Sequence, residues 1–420
     1  MGKTISEKIL ARASGKEKVV PGEIIYPVAD VVVCPESAFP GLIDQLREIG
    51  VKKILNPEKI VVTVDHDPMI RTDVVANRLN KLKTYVKELG IRHFYDIGHH
   101  GISHIVPIEK GLVRPGMFIY SFDTHAASSG AIGAFGASML YEFPILLAAG
   151  SVWVKVPSTL RINLNGNLTP GVTVRDVALW VIHKIGDEKG DYRAFEFGGS
   201  LLDKVGIDGR MTLCTCTPEL GGKTGIVNPD KITLDYFRDI TQQPFLPLTS
   251  DPDAEYEEIF NFNVSDLVPQ IAVPPRPDTA IPITEKVGLP IHQATIGSCS
   301  SGMLSDLRDA ARIFKGHKVT DHVRCFITPG THDIYIRALK EGLIEIFAEA
   351  GAIVTPAGCG ICSIASYGGK LGDGDICISS ASRNDPGRMG SSKAEIYIAS
   401  PMTVAASAVK GEIADPREFI

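Results

Sequence analysis

Residues 292–316 have the sequence H-Q-A-T-I-G-S-C-S-S-G-M-L-S-D-L-R-D-A-A-R-I-F-K-G. The first part, H-Q-A-T-I-G, predicts a short strand, and the last part, S-D-L-R-D-A-A-R-I-F-K-G, has the apolar spacing of an amphipathic helix. The turn of small residues between them places Cys299 just beyond the end of the strand. We therefore predict a strand–loop–helix unit of an α/β domain, with a cysteine where open α/β sheets bind ligands.

The same alternation of strand-like and helix-like runs extends along the chain in both directions. It is seen in K-I-V-V-T-V (59–64), N-R-L-N-K-L-K-T-Y-V-K-E-L-G (77–90), M-F-I-Y-S-F (117–122), R-C-F-I-T (324–328), A-L-K-E-G-L-I-E-I-F-A-E-A-G (338–351) and A-I-V-T (352–355). This alternation predicts α/β domains with largely parallel sheets. Proline is concentrated between Val268 and Pro290, which predicts an extended crossover between domains. We expect two domains within residues 1–280 and a third, carrying the cysteine motifs, in residues 281–420.

Composition narrows the class of protein. The chain has 420 residues, of which 44% are hydrophobic and 22% charged, as in a globular enzyme. Its net charge of −6 gives no general affinity for nucleic acid or anionic membranes. The longest apolar stretch, Ala131 to Gly150, is interrupted by Glu142 and Pro144 and predicts a buried helix rather than a membrane span. With no apolar signal core and too few cysteines for a disulfide framework, we expect a reduced, cytoplasmic protein.

Three cysteines in the last third of the chain suggest a metal centre. Cys299 lies in I-G-S-C-S-S-G, and Cys359 and Cys362 form the pair G-C-G-I-C. Three thiolates are one fewer than a closed zinc site or a fully ligated [4Fe-4S] cluster needs, so such a cluster would keep one iron open as a Lewis acid. The alternative is that all three are small buried hydrophobic residues. A rival pair, Cys214 and Cys216, would share one face of an extended segment, and we interpret it as packing near a site.

Polar motifs follow five of the predicted strands directly. They are Asp65-His66, Asp123-Thr124-His125, Gly297-Ser298-Cys299, Gly358 to Cys362, and Ser382-Arg383-Asn384 leading on to Arg388. Because open α/β sheets bind ligands beyond the carboxyl ends of their strands, we expect these motifs to converge on one site where domains meet.

Two of these motifs pair an acid with a histidine. In Asp65-His66 and in Asp123-Thr124-His125, a carboxylate can orient the imidazole and raise its basicity, so that the pair can move a proton. A turn aspartate beside a surface histidine is the alternative for each.

Other titratable residues are assigned less directly. We interpret His104, in G-I-S-H-I, as a proton-transfer or substrate contact and leave His99 and His100 unassigned. His332, in P-G-T-H-D, is interpreted as a residue near a helix cap. Glu219, in a glycine-rich loop, is either a salt-bridge partner or a residue that orients a catalytic histidine.

Arg383 and Arg388 lie in S-R-N-D-P-G-R. Guanidinium groups bind carboxylates in a two-pronged fashion, so two of them near a cluster suit a di- or tricarboxylate substrate. The alternative is an exposed turn, which N-D-P-G also favours.

In this order, the motifs resemble those of the aconitase superfamily, and most closely those of the large subunits of 3-isopropylmalate dehydratase and homoaconitase. G-S-C-S-S-G is similar to the family's G-S-C-T-N-G, P-A-G-C-G-I-C to its P-G-C-G-x-C, and G-R-M-G-S-S-K-A-E-I-Y-I-A-S-P to its C-terminal signature. The resemblance spans nearly the whole chain. It implies three aconitase-like α/β domains with largely parallel sheets around a central cluster site, without the mobile swivel domain.

The resemblance also implies the chemistry. Cys299, Cys359 and Cys362 would hold a [4Fe-4S] cluster, and Arg383 and Arg388 would bind the substrate carboxylate. The proton-handling network would consist of Asp65, His66, His104, Asp123, His125 and Glu219. The reaction would be the dehydration and rehydration of a hydroxy-di- or tricarboxylic acid. In the family the serine base lies on the swivel domain, so we expect a small partner subunit to supply it.

Several positions depart from the family pattern. F-D-T-H-A replaces D-S-H-T, Thr215 and Ser382 replace asparagines, and C-P-E-S-A-F-P replaces an H-D-G-type segment. Because contacts around the ligands tune a metal site, these changes leave the substrate open. We expect 3-isopropylmalate, as in leucine biosynthesis, with homoaconitate, 2,3-dimethylmalate or methylcitrate as alternatives. A cluster-free RNA-binding regulator is a further alternative, against which the net charge and the acid–base residues argue.

Overall fold

The computed structural model describes residues 2–362 and 368–420, which form two compact units. The first unit comprises Met1–Ile97, Ser103–Asn165 and Gly190–Phe262, and the second comprises Gly98–Ile102, Gly166–Lys189 and Asn263–Ile420. The expected domains 1–280 and 281–420 stay a prediction, because compactness alone does not define aconitase-like domains.

Helices and strands alternate along most of the described chain. The helices are α1 Ile5–Ala13, α2 Phe39–Glu48, α3 Asp73–Glu88, α4 Val106–Glu109, α5 Phe143–Ala149, α6 Val174–Ile185, α7 Ile207–Thr215, α8 Lys231–Arg238, α9 Leu304–Phe314, α10 His332–Lys340, α11 Leu343–Ala350 and α12 Pro401–Lys410. The strands are β1 Ile24–Ile25, β2 Val31–Pro35, β3 Ile60–Thr63, β4 His93–Tyr95, β5 Phe118–Ser121, β6 Phe135–Ser138, β7 Val154–Lys155, β8 Thr159–Asn165, β9 Ala194–Gly198, β10 Thr224–Val227, β11 Glu258–Asn263, β12 Gln270–Ala272, β13 Ala280–Pro282, β14 Gln293–Gly297, β15 Arg324–Thr328, β16 Ile353–Val354, β17 Ile376–Ser379 and β18 Glu395–Ala399.

The first unit contains a five-stranded parallel sheet with the order β4-β3-β2-β5-β6. Strands β2, β3 and β5 are buried along their whole length, which explains their nearly continuous apolar sequences. The chain starts at β2, adds β3 and β4 on one side, and then adds β5 and β6 on the other. The strand order therefore reverses between β2 and β5, where open α/β sheets bind ligands.

A second sheet of the first unit has the order β10-β9-β8-β11. Helix α7 packs beside β10 and the 3₁₀ turn Ala126–Ile132. The 3₁₀ turn packs closely on β10, because a Cβ on Gly130 of the turn would lie 1.6 Å from the carbonyl oxygen of Gly225 in the strand. Cys214 and Cys216 lie at the end of α7 rather than in an extended segment, and both are buried, in agreement with a packing role.

The second unit is built on a seven-stranded sheet with the order β13-β12-β18-β17-β14-β15-β16. Strand β12 is antiparallel to both of its neighbours, β13 and β18, and the five strands from β18 to β16 in this order are parallel to one another. The parallel part starts at β14, continues to β15 and β16 on one side, and then to β17 and β18 on the other. Its order reverses between β14 and β17, and α12 packs against β14.

The predicted α/β class with largely parallel sheets is confirmed, and the five strands that precede the polar motifs are β3, β5, β14, β16 and β17. The predicted buried helix across residues 131–150 is wrong. This stretch forms β6 and the short helix α5, with Pro144 in the first turn, where proline suits a helix start. The proline-rich segment contributes β12 and β13 to the sheet. No helix in the described ranges is long and apolar enough to cross a membrane.

Candidate active site

The turn that follows β3 is held by a buried carboxylate. The backbone N–H groups of Asp65, His66 and Asp67 donate hydrogen bonds to the carboxylate of Glu36 at 2.8, 2.9 and 3.0 Å. Glu36 directly follows β2, the neighbour of β3 in the sheet. Its Oε2 also lies 3.8 Å from Nδ1 of His66.

Opposite charges are concentrated in this turn. Burial raises the pKa of Asp65, and the charges of Glu36 and Asp123 add to the rise, which the charge of His66 only partly offsets. Burial opposes the charged form of His66, but Asp65, Glu36 and Asp123 outweigh it and raise the pKa of His66 from 6.5 to about 10. His66 is therefore a cation at neutral pH.

The turn also fixes the segment that carries His104. Oδ2 of Asp65 accepts a hydrogen bond from the backbone N–H of Ser103 at 3.0 Å. Both residues are buried, as is His104 itself. A carboxylate after β3 thus sets the position of the imidazole that the sequence places 39 residues later.

A chain of acids and imidazoles continues from His104. Asp123 follows β5, and its Oδ1 lies 3.1 Å from Nδ1 of His104 and 3.8 Å from Nδ1 of His125. Nε2 of His125 lies 3.3 Å from Oε1 of Glu219. The first unit therefore assembles the order His104, Asp123, His125, Glu219, which alternates imidazole and carboxylate.

Asp123 is the centre of this chain. Burial alone would raise the pKa of Asp123, but the charges of His104 and His125 and the hydrogen bonds from both residues lower it. One of those bonds is the backbone N–H of His125, which donates to Oδ1 at 2.7 Å. A carboxylate that stays ionised next to two imidazoles can fix their tautomers and stabilise their charged forms.

In the second unit, two glycine-containing loops bring Cys299 and Cys362 to the ends of parallel strands. A Cβ on Gly297, in the first loop, would lie 2.0 Å from the backbone oxygen of Thr328. A Cβ on Gly360, in the second loop, would lie 2.6 Å from Oγ1 of the same threonine. Both loops therefore pack closely on the end of β15. One small cavity is lined by Cys362 and Gly297 together.

The cysteines of this unit differ in charge state. Cys299 and Cys362 are buried, and Cys359 is half-buried. A hydrogen bond with Cys359 and the guanidinium of Arg388 lower the pKa of Cys362 well below its usual range, although burial acts against them. Burial raises the pKa of Cys325 and of Cys377 to about 12. Cys362 thus lies in surroundings that favour a thiolate, and the two cysteines in the strands do not.

The two arginines have different surroundings. Nη2 of Arg388 lies 3.4 Å from Sγ of Cys362, and the charges of Cys362, Cys359 and Cys299 raise the pKa of Arg388 despite its burial. Arg383 follows β17 and is half-buried. The structure therefore places Arg388 directly beside the cysteine group.

A sequence model of the aconitase family (aconitate hydratase) matches residues 7–411 of the chain. The chain belongs to the aconitase family. It is 40% identical to the 3-isopropylmalate dehydratase large subunit 1 of Methanopyrus kandleri over 421 residues, which cover 100% of both chains. It is 42% identical to the probable 3-isopropylmalate dehydratase large subunit of Methanothermobacter thermautotrophicus over 417 residues, which cover 99% of both.

A third relative is similar to the same extent. The 3-isopropylmalate dehydratase large subunit of Halothermothrix orenii is 39% identical over 421 residues, which cover 100% of both chains. Among solved structures, the holo form of Thermococcus kodakaraensis aconitase X covers 89% of this chain and 86% of its own at 12% identity and a TM-score of 0.46. As a member of the aconitase family, the protein is a hydro-lyase, and this family generally binds an iron–sulfur cluster.

Thr215 and Ser382, which the resemblance to the family pattern sets in place of asparagines, each carry a buried hydroxyl group. The side-chain oxygens of Thr215 and Ser382 are buried, and within residues 2–362 and 368–420 neither has a hydrogen-bond partner. A buried hydroxyl without a partner is costly, so each is suited to a ligand that brings its own polar group.

His100 and His332 lie next to each other in the second unit. Nδ1 of His100 accepts a hydrogen bond from the backbone N–H of Gly98 at 3.1 Å, and its ring centroid lies 5.7 Å from that of His332. His332 is the first residue of α10, directly after the capping residue Thr331, as the sequence predicts.

Sequence reasoning missed Glu36, the residue that holds the turn after β3. The available signal was its position, because V-V-V-C-P-E puts an acid directly after an apolar run, as in the other motifs. It also missed that Arg388 contacts Cys362, because the two are 26 residues apart in the sequence.

Proposed function

We propose that this chain is the cluster-bearing large subunit of a 3-isopropylmalate dehydratase-like hydro-lyase, which dehydrates and rehydrates a hydroxy-dicarboxylate. The main support is that proteins named 3-isopropylmalate dehydratase large subunits match it over their full length at about 40% identity. The acid–imidazole chain of the first unit and the thiol–guanidinium group of the second provide the residue types that this reaction requires.

The thiols of the second unit fit a [4Fe-4S] cluster. Cys299, Cys359 and Cys362 would be its ligands, since they are close enough to act together on the charge of Arg388 and Cys362 favours the thiolate. A cluster held by three cysteines supplies one open iron as a Lewis acid toward a hydroxyl or a carboxylate.

The first unit would handle protons. With Asp123 3.1 Å from its Nδ1, His104 keeps that nitrogen protonated, which leaves Nε2 to give a proton to a departing hydroxyl and to recover one from water. His125 would balance the charge of Asp123 and Glu219. His66, a cation at neutral pH, would stabilise negative charge on the substrate.

The arginines would bind substrate carboxylates. Arg383 offers its guanidinium at the end of β17, and Arg388 would orient a carboxylate beside the cysteines. The buried hydroxyls of Thr215 and Ser382 would take the hydrogen bonds that asparagines make in the family. This replacement favours a second candidate, a hydro-lyase for another substituted malate such as 2,3-dimethylmalate.

A partner would complete the enzyme. The relatives are named large subunits, which implies a small subunit. We assign to that partner the swivel domain and the serine that removes the carbon-bound proton.

Anaerobic reconstitution with iron and sulfide, followed by an assay with and without a small subunit of the same family, tests the proposal. The substrates are 3-isopropylmalate, 2,3-dimethylmalate, methylcitrate and homoaconitate, and the formation or consumption of the unsaturated acid is followed by ultraviolet absorbance. We expect turnover of 3-isopropylmalate only with both subunits. A preference for 2,3-dimethylmalate would select the second candidate, and full activity of the single chain would contradict the assignment of the serine.

A further inference from the structure

Glu36 is a fully buried carboxylate at the carboxyl end of β2. Its backbone N–H donates to the carbonyl of Thr63 at 2.9 Å, which extends the pairing of β2 and β3 by one residue. The side chain therefore leaves the sheet next to the point where the strand order reverses, directly beside the turn that carries Asp65 and His66.

Glu36 accepts hydrogen bonds from three backbone N–H groups that are consecutive in the sequence, from Asp65 to Asp67. Successive N–H groups that point into one concavity form an anion-binding nest. In this protein the nest holds a carboxylate of the chain itself, with all three bonds at 3.0 Å or shorter. A substrate anion cannot use these donors while Glu36 is in place.

Three carboxylates face His66, one from each of three adjacent strand ends: Glu36 after β2, Asp65 after β3 and Asp123 after β5. Burial acts to raise the pKa of Glu36, but the nearby imidazole of His66 and the backbone N–H groups of Asp65 and His66 outweigh it and lower the pKa, so the group stays ionised. A buried, ionised group with this many bonds is fixed in position.

We propose that Glu36 is a positioning residue of the enzyme: its carboxylate fills the nest and fixes the turn of Asp65 and His66. The effect extends through Asp65 to the N–H of Ser103 and so to His104. The proposal depends on the proposed function only for the roles of these residues in turnover.

The variant Glu36→Gln separates this role from simple packing, because it keeps the volume but removes the charge. Its amide offers one acceptor oxygen, and its NH₂ group would face a backbone donor. Glu196→Gln is the matched control, since Glu196 is equally buried and charge-paired in the first unit, but its partners are Arg161, Asn228, Ser250 and Tyr256.

The direct test is amide hydrogen exchange in the full cluster-free chain, followed at the N–H groups of Asp65, His66 and Asp67. These three groups donate to Glu36, so Glu36→Gln should speed their exchange by about tenfold or more. Glu196→Gln should leave their exchange unchanged. Unchanged exchange of all three amides in a folded Glu36→Gln protein would overturn the proposal.

If Glu36→Gln does not fold, Glu36→Asp is used instead. It keeps the charge but shortens the reach, so turnover of the reconstituted enzyme should fall roughly ten- to a hundredfold. Glu36→Ala empties the nest, and added acetate should restore part of its turnover. Wild-type turnover in Glu36→Asp would overturn the positioning role. Because the exchange measurement needs no substrate, its result is valid even if 3-isopropylmalate is not turned over.

Discussion

The five-stranded sheet of the first unit and the parallel part of the seven-stranded sheet of the second have the same strand order. Each starts in the middle, adds two strands on one side and then two on the other. In the first, the strand ends carry Glu36, Asp65 and Asp123, whereas in the second they carry Cys299 and Arg383. One topology thus presents carboxylates in one unit, and a thiol and a guanidinium in the other.

The comparison shows that topology selects where chemistry can take place, and that the loop residues select which chemistry it is. The charged groups also differ between the two units. Asp65, Glu36 and Asp123 raise the pKa of His66 against its burial, and a hydrogen bond with Cys359 and the guanidinium of Arg388 lower the pKa of Cys362.

The largest expected effect is the loss of the cluster. Cys299→Ala, Cys359→Ala and Cys362→Ala should each abolish cluster assembly and reduce turnover to background, because each removes a proposed ligand. Cys377→Ala is the control, since Cys377 is buried in the same sheet but its pKa of about 12 keeps it a thiol. Iron and sulfide analysis after anaerobic reconstitution measures this. A full cluster in any of the three variants would remove that cysteine from the ligand set.

The next largest effect is expected on kcat, from a substitution in the acid–imidazole chain of the first unit. Asp123→Asn should lower kcat by about 10³–10⁴-fold, the cost seen when the aspartate that orients a catalytic histidine becomes an amide. Asp44→Asn, which changes a partly exposed ion pair with Lys81, should leave kcat unchanged. Steady-state kinetics of the complete enzyme measures both. Equal rates for the two variants would show that the chain of His104, Asp123 and His125 does not act in turnover.

A smaller effect is expected from the arginines. Arg383→Lys and Arg388→Lys keep the charge but lose the planar fork, and loss of a desolvated partner costs roughly 2–5 kcal/mol. kcat/KM should therefore fall by about one and a half to nearly four decades. Arg47→Lys, on the exposed face of α2, is the control. If both site variants behaved like Arg47→Lys, substrate binding by these arginines would be excluded.

The smallest effect is on stability. His66 has a pKa raised from 6.5 to about 10, so its contribution is fully present below pH 6.5 and is lost as the pH rises through about 10. We expect about 1–3 kcal/mol, because the side chain of His66 is 21% exposed and water screens its charge. Urea unfolding of the wild type and of His66→Gln at pH 7 and pH 10.5 measures it. The wild type should lose more stability with pH, and parallel losses would contradict the charge assignment.

The sequence alone was sufficient to predict the strands that support the site. Buried parallel strands such as I-V-V-T and F-I-Y-S are continuous apolar runs, and ligands lie beyond their carboxyl ends, so β3, β5 and β14 could be predicted together with the motifs that follow them. The family could be predicted because Cys299 and the pair Cys359 and Cys362 have the spacing of its motifs. The roles of these residues stay predictions.

Other features depend on which strands become neighbours. Glu36 reaches the turn of Asp65 only because β2 lies next to β3, and no local pattern shows this pairing. The stretch 131–150 was misinterpreted as one helix because apolar content alone does not distinguish a strand followed by a short helix from a longer helix. The contact of Arg388 with Cys362 likewise depends on how two loops fold together.

The most direct test of the division between the two units is the iron and sulfide content of Asp123→Asn after anaerobic reconstitution, measured beside the wild type. If the first unit supplies proton transfer and the second supplies the ligands, Asp123→Asn holds as much cluster as the wild type while its turnover is lost. A cluster content that falls together with turnover would contradict the division.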